Sequence, residues 1–506
     1  MNPFDLFRSP ALSILLAACG PTSQEPKQPD PETRTVPIAS TTAGTASTAE
    51  PPERPVAQLA GEIVAALSKG KYGDVRKHFD DAMNKAMASD DAVGGMWTSI
   101  ERKIGHYKRT ITSSEIENGG FRIALVTCEF ESATMDVKLV FDKARHLAGI
   151  NLLATHHPDA FGPRPQTPKP PFAYASREVE YDAPTVKDAK MAGTLTIPQG
   201  SGPFPAVLLI TGSGTQDRDS TIFGHKPFLV IADRLTRNGI AVLRVDDRGE
   251  GGSTGDASKD TVESHATDVE AGIAFLKTQN DIDPKRIGLI GHSEGGIIAA
   301  VVASRTKDVA FVVSLAGTGL PGSEINALQV EAILKSNGKT PDETIKAIVA
   351  AQRKLMNALV KNDDKAIKRA LDEAVAAATK SLPEAERGRV AKSVESELGQ
   401  IKSPWFRSFA ALDPRVYWNK VTVPVLAMNG DRDTQVLVDV NFRAIKAALD
   451  KANNKDVVLA KFAGLNHLFQ PAETGLLDEY AKIETTFDSK ALDQMTEWLK
   501  KRANVK

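Results

Sequence analysis

The sequence predicts an α/β protein, a mostly parallel, doubly wound sheet with a helical insertion, preceded by a small α+β domain. Three observations predict it. Apolar runs of strand length recur at 204–210, 240–245, 286–290, 310–315, 423–429 and 457–460, as expected of strands buried in a parallel sheet. One of them passes through a glycine-framed turn into the small-residue helix 296–303. More than 100 residues separate 310–315 from 423–429, about 90 of them helical in spacing, far more than a simple α/β unit needs. A chain of 506 residues is too long for one ordinary core, and 41% hydrophobic residues is a globular composition.

The chain opens with an apolar run at 10–18, too short to span a bilayer, that ends at Cys19. Leu16-Ala17-Ala18-Cys19 resembles a bacterial lipobox, which implies a signal peptide over 1–19 and an acylated Cys19 as mature N-terminus. The expected location is the bacterial cell envelope, anchored by lipid and facing the periplasm, with a cleaved secretory signal as the alternative. Residues 20–55, rich in Pro, Thr, Ser, Ala and Glu, read as a disordered tether. Residues 56–154 run from helical spacing through Ile63-Val64-Ala65-Ala66-Leu67 to alternating segments at 122–126 and 135–140, hence a small, cone-shaped α+β domain. His78, His106, Cys128 and His146 lack metal-ligand spacing there. A proline-rich stretch at 155–176 reads as a linker, and the adjacent His156 and His157 would point apart in extended chain. Residues 177–506 form the main domain, with the helical cap at about 320–410.

The chemistry starts at Gly291-His292-Ser293-Glu294-Gly295, between the strand 286–290 and the helix 296–303. A strand–turn–helix of this kind strains the serine backbone, and side chains at the two glycine positions would collide with the neighbouring strand and helix. Ser293 is thereby presented as a nucleophile, and the Glu294 N–H, at the helix start, points toward a developing oxyanion. A serine needs a base. In the α/β-hydrolases, whose nucleophile turn this motif resembles, the acid and the histidine follow the serine in chain order, and of nine histidines only His467 does so, in the loop after strand 457–460. The acid is expected after strand 423–429, where Gly430-Asp431-Arg432-Asp433-Thr434-Gln435-Val436 offers Asp433 in a Gly-x-x-Asp-x-x-Val pattern and Asp431 as fallback. The loop Thr211-Gly212-Ser213-Gly214, after strand 204–210, offers the second oxyanion N–H from Ser213, or from Gly214 after a one-residue slip. Such a donor is typically worth about 2.7–4 kcal/mol in the transition state.

These motifs resemble the α/β-hydrolase superfamily. With Gln216-Asp217-Arg218-Asp219, Gly224-His225-Lys226-Pro227 and Asp246-Asp247-Arg248-Gly249 they resemble in particular a bacterial carboxylesterase group that often carries a small N-terminal α+β domain. The resemblance covers about residues 175–500. It implies hydrolysis of short- to medium-chain carboxylic esters through an acyl-enzyme on Ser293, with Asp433 orienting His467. The same set of groups serves a serine peptidase or an acyl-thioesterase. A reading of another class is a non-catalytic envelope protein that binds its ligand on a hydrolase fold.

The partners expected are a small ester and, through the N-terminal lipid alone, a membrane. A formal net charge of −1 leaves no electrostatic footprint for nucleic acid. No cofactor and no metal are expected: Thr254 occupies the last glycine position of a dinucleotide fingerprint in 249–255, and neither a P-loop nor a His-Glu-x-x-His motif occurs. In the cap, Ile345, Ile348, Val349, Leu355, Met356 and Leu359 share one helical face and are expected to form core rather than an acyl-chain site. Trp405, Phe406 and Phe409 either line a pocket or pack the cap onto the body.

Overall fold

The computed structural model describes residues 55–505 except 119–120, 132, 155–163, 184–188, 339, 381–383, 385–386, 389, 392–393 and 395–400. Cys19, the signal and tether segments, and His156 and His157 lie outside the described residues. The chain divides into two compact units that join between residues 163 and 164.

The smaller unit begins with helices α1 (Val56–Ser68), α2 (Tyr72–Arg76), α3 (Asp81–Ala86) and α4 (Asp90–Ile104). An antiparallel sheet follows in the order β1 (Tyr107–Asn118), β2 (Phe121–Phe130), β3 (Thr134–Phe141), β4 (Leu147–Ala154). Helix α1 buries Val56, Ala60, Ile63, Val64 and Leu67 at helical spacing against β1 and β2. The period of two on the sheet pairs Ala124 with Leu139 and Val126 with Val137, all buried. Thr127 and Asp136, also buried, satisfy each other at 2.6 Å. Burial pushes the Cys128 thiol up to about 12, so it stays protonated.

The larger unit starts earlier than the composition of its first residues suggests. Arg164 donates to the main-chain carbonyls of Phe223, Ala481 and Ile483, and Gln166 Oε1 accepts from the N–H groups of Thr486 and Phe487. These clamps make residues 164–176 part of the unit, so the linker expected over 155–176 is shorter. Prolines alone do not reveal such tertiary bonds.

Eight strands form its sheet: β5 (Tyr174–Asp182), β6 (Lys190–Pro198), β7 (Phe204–Ile210), β8 (Ala241–Val245), β9 (Ile282–His292), β10 (Phe311–Leu315), β11 (Val425–Gly430) and β12 (Val457–Phe462). Their spatial order is β12-β11-β10-β9-β7-β8-β6-β5. All neighbours from β8 to β12 are parallel, while β5–β6 and β6–β8 are antiparallel. Strand alternation sends Ala206, Leu208 and Ile210 to one face and Val207 and Leu209 to the other. The first face packs on α6 (Val262–Lys277) and α7 (Glu294–Ala303). The second packs on α5 (Pro227–Arg237) and on the C-terminal helix Ser489–Arg502. This is the α/β-hydrolase architecture, in which chemistry gathers at the carboxyl ends of the parallel strands.

Between β10 and β11 lie α8 (Gly322–Asn337), α9 (Asp342–Val360), α10 (Asp364–Thr379) and α11 (Pro404–Ala411). The six apolar residues at 345–359 are buried among these helices, so the stripe is cap core. Phe406 joins that core, whereas Phe409 is buried in the core beneath the sheet. Helix α11 therefore fastens cap to body.

Candidate active site

The elbow is a steric consequence of its two glycines. Ser293 stands between β9 and α7 with φ 56° and ψ −116°, a region that L residues rarely adopt. A Cβ on Gly291 would lie 2.0 Å from the Gly295 carbonyl oxygen, and one on Gly295 would lie 2.3 Å from that of Ile210. No side chain fits either position. The Ser293 N–H donates to the Leu315 carbonyl at 2.8 Å, which ties the strained turn to β10.

The loop after β7 lies directly against this turn, since a Cβ on Gly212 would reach Ser293 Cβ at 3.3 Å. Two acids after β8 hold the loop. Asp247 accepts from Thr211 Oγ1 at 2.7 Å and from Gln216 N–H at 2.8 Å, and Asp246 accepts from the Arg218 N–H at 2.8 Å and from its guanidinium. The Gln-Asp-Arg-Asp and Asp-Asp-Arg-Gly motifs are thus two halves of one brace. Ser213 and Gly214, the expected oxyanion donors, sit within it.

His467 and Asp433 arrive from the loops after β12 and β11. His467 Nδ1 lies 2.8 Å from Asp433 Oδ2, with both side chains almost fully buried. The other Asp433 oxygen accepts from the N–H groups of Gln435 and Val436, each at 2.8 Å, which fixes the carboxylate. Asp431 instead accepts from Gly464 N–H at 2.7 Å and does not touch His467. Asn466 shapes the histidine loop by accepting from the N–H groups of Leu468 and Gln470. Among the described residues no hydrogen bond joins Ser293 Oγ to the His467 ring, a contact that often tightens only with substrate.

Further side chains complete the site through contacts that the sequence did not show. His292, inside the motif itself, holds the His467 carbonyl through Nε2 at 3.0 Å, with the two rings 4.7 Å apart. A carbonyl only accepts, so His292 carries its proton on Nε2. Burial, with the nearby His467, lowers its pKa to about 3 and keeps it neutral. Glu294 is 1% exposed, and Trp405 Nε1 stands 3.0 Å from both of its carboxylate oxygens. Behind it, His265 faces Asp260, Asp247 and Glu294. Burial opposes its charging, yet these carboxylates hold it protonated up to about 9. Asp246-Asp247 stood in a motif, but nothing in the sequence pointed to His265, which lies on α6.

Comparison with known proteins agrees with this fold and chemistry. Residues 60–150 match a family described only as a protein of unknown function (DUF3887). Esterase EstD of Thermotoga maritima is 26% identical over 446 residues, covering 84% of this chain and 92% of its own. Acyl-coenzyme A thioesterase 1 of Mus musculus is 24% identical over 40% of this chain and 45% of its own. A solved esterase of Pyrococcus furiosus, 17% identical, covers 65% of this chain and 92% of its own with a TM-score of 0.40. Residues 187–459, more than half of the chain, match the X-Pro dipeptidyl-peptidase (S15) family, and the protein is a serine hydrolase belonging to that family.

Proposed function

We propose that the protein is a carboxylesterase of the bacterial group with a small N-terminal α+β domain, and that it cleaves short- to medium-chain esters. The observation that carries the reading is the strained Ser293 at the end of β9 together with a His467–Asp433 pair spaced at 2.8 Å. Likeness to Esterase EstD along nearly the whole chain supports an ester as substrate.

In this mechanism Ser293 Oγ attacks the ester carbonyl while His467 Nε2 takes its proton, and Asp433 stabilises the imidazolium. The N–H groups of Glu294 and Ser213, with Gly214 as the alternative to Ser213, hold the oxyanion. His467 returns the proton to the departing alcohol. Water, deprotonated by His467, then releases the acid from Ser293.

The test is a panel of nitrophenyl acetate, butyrate and octanoate, an acyl-coenzyme A thioester and an X-Pro nitroanilide, assayed with wild type and Ser293→Ala. Ester turnover in wild type alone supports the proposal. Higher kcat/KM on the thioester or the nitroanilide overturns the ester reading, and equal rates in the two proteins overturn the nucleophile.

The second part of the proposal places the enzyme in the bacterial envelope, held by a lipid on Cys19 and facing the periplasm. Leu16-Ala17-Ala18-Cys19 supports it. Cys19→Ser should move the protein from the membrane fraction to the soluble one, and unchanged fractionation overturns the anchor.

A further inference from the structure

The side chain that follows the nucleophile is placed at a junction of three elements. Trp405 Nε1, from cap helix α11, lies 3.0 Å from both Glu294 carboxylate oxygens. His265 of α6 faces the same carboxylate. Trp405 is itself fixed, stacked on Phe409 with ring centres 5.9 Å apart and 19° between planes. Ser408 Oγ donates to the Trp405 carbonyl at 2.7 Å and accepts from the Val262 N–H at 3.1 Å. Gly322, at the start of the cap, is pressed so closely on α11 that a Cβ there would lie 2.0 Å from the Phe409 carbonyl oxygen.

We propose that the Glu294 carboxylate is a positioning group that fixes the oxyanion-donating N–H of its own residue and makes that setting depend on a seated cap. Glu294 supplies one donor N–H from its main chain, and its side chain is held by Trp405. Trp405 ties that residue to the cap, so unseating α11 releases the carboxylate and, with it, the start of α7 that carries the donor N–H. The inference rests on the serine-hydrolase mechanism above and adds to it a link from the cap to acylation rather than to affinity. Burial of Glu294 excludes direct contact with substrate.

Two variants isolate the link. Trp405→Phe keeps the ring stack on Phe409 and removes only the N–H, and Glu294→Gln keeps the shape and removes the charge. Each is assayed for kcat and KM on nitrophenyl acetate, an ester too small to span the cap. Each is also assayed for the rate at which diethyl nitrophenyl phosphate labels Ser293, read by mass. The phosphoryl oxygen of that probe needs the oxyanion hole whatever the natural substrate. Both variants should lose about 10- to 100-fold in kcat and in labelling rate, below the roughly 10²- to 10³-fold loss of a deleted donor, with KM little changed. The double variant should be no slower than Glu294→Gln, because both changes cut one path. Wild-type labelling rates in Trp405→Phe, losses confined to KM, or additive losses overturn the proposal. If Glu294→Gln does not fold, Trp405→Phe decides alone. Absence of ester turnover in wild type while labelling persists would instead refute the ester reading and leave this test standing.

Discussion

His292 Nε2 donates to the main-chain carbonyl of His467 at 3.0 Å, so the residue before the nucleophile grips the residue proposed as its base. A single hydrogen bond links the elbow to a loop 175 residues away in sequence. His292→Phe keeps an aromatic ring and removes the donor. Since one such bond is worth about 0.5–1.5 kcal/mol net, kcat on nitrophenyl esters should fall about 2- to 12-fold. His292 is neutral throughout the working range, so the ratio to wild type should stay flat from pH 5 to 8. A ratio that varies with pH would mean that His292 titrates in the reaction.

The two aspartates after β11 make a sharp comparison. Asp433→Asn reverses the polarity of the bond to His467 Nδ1 and favours the wrong tautomer, so kcat should fall by about 10⁴. Asp431→Asn alters an exposed side chain that accepts from the Gly464 N–H, and kcat should stay within about threefold, as expected for a surface change. Comparable losses in both would show that the loop's shape matters rather than the charge on His467.

How much of this was legible in the sequence follows from the range of each constraint. The elbow is written locally, because Gly291 and Gly295 exclude any Cβ within a five-residue turn. His467 was legible from chain order, since no other histidine follows Ser293. The cap stripe at 345–359 was legible from its 3.6-residue period. The contacts of Glu294 were not, because Trp405 and His265 approach it from the cap and α6, and no short pattern encodes such a meeting. Arg164 illustrates the same limit, as its three carbonyl partners lie about 60 and 320 residues away.

The steric argument for the elbow has a direct stability test. Gly291→Ala would place a methyl 2.0 Å from the Gly295 carbonyl oxygen, where only the backbone can yield. The loss should reach or exceed about 3 kcal/mol, the upper end for overpacked sites, in urea unfolding. Gly338→Ala meets no neighbouring atom, so its cost is confined to the strain of φ 64° and should be about 1–2 kcal/mol. Equal losses would remove close contact as the reason for glycine in the elbow.

The charge on His265 gives the protein a pH signature. Burial disfavours that charge, but Asp260 on the loop before α6, Asp247 after β8 and Glu294 in the elbow outweigh it and raise the pKa from 6.5 to about 9. Asp268 and Arg248 complete the surroundings, with Arg248 sharing Asp260 at 3.2 Å and bonding Asp268 at 2.6 Å. A group whose folded pKa is raised stabilises fully below its unfolded value and loses that contribution as pH rises through the folded one. The contribution of His265 is therefore complete below pH 6.5 and fades toward pH 9. Asp247 acts in the same direction over a lower window, since burial raises it from 3.8 to about 7 and each step up in pH across that range favours the unfolded chain. The Tm of wild type minus that of His265→Gln should thus be largest at pH 6 and shrink steadily by pH 9.5 in thermal melts. A difference that grows with pH would mean that His265 is neutral in the folded protein and that the carboxylates around it are balanced by Arg248 alone.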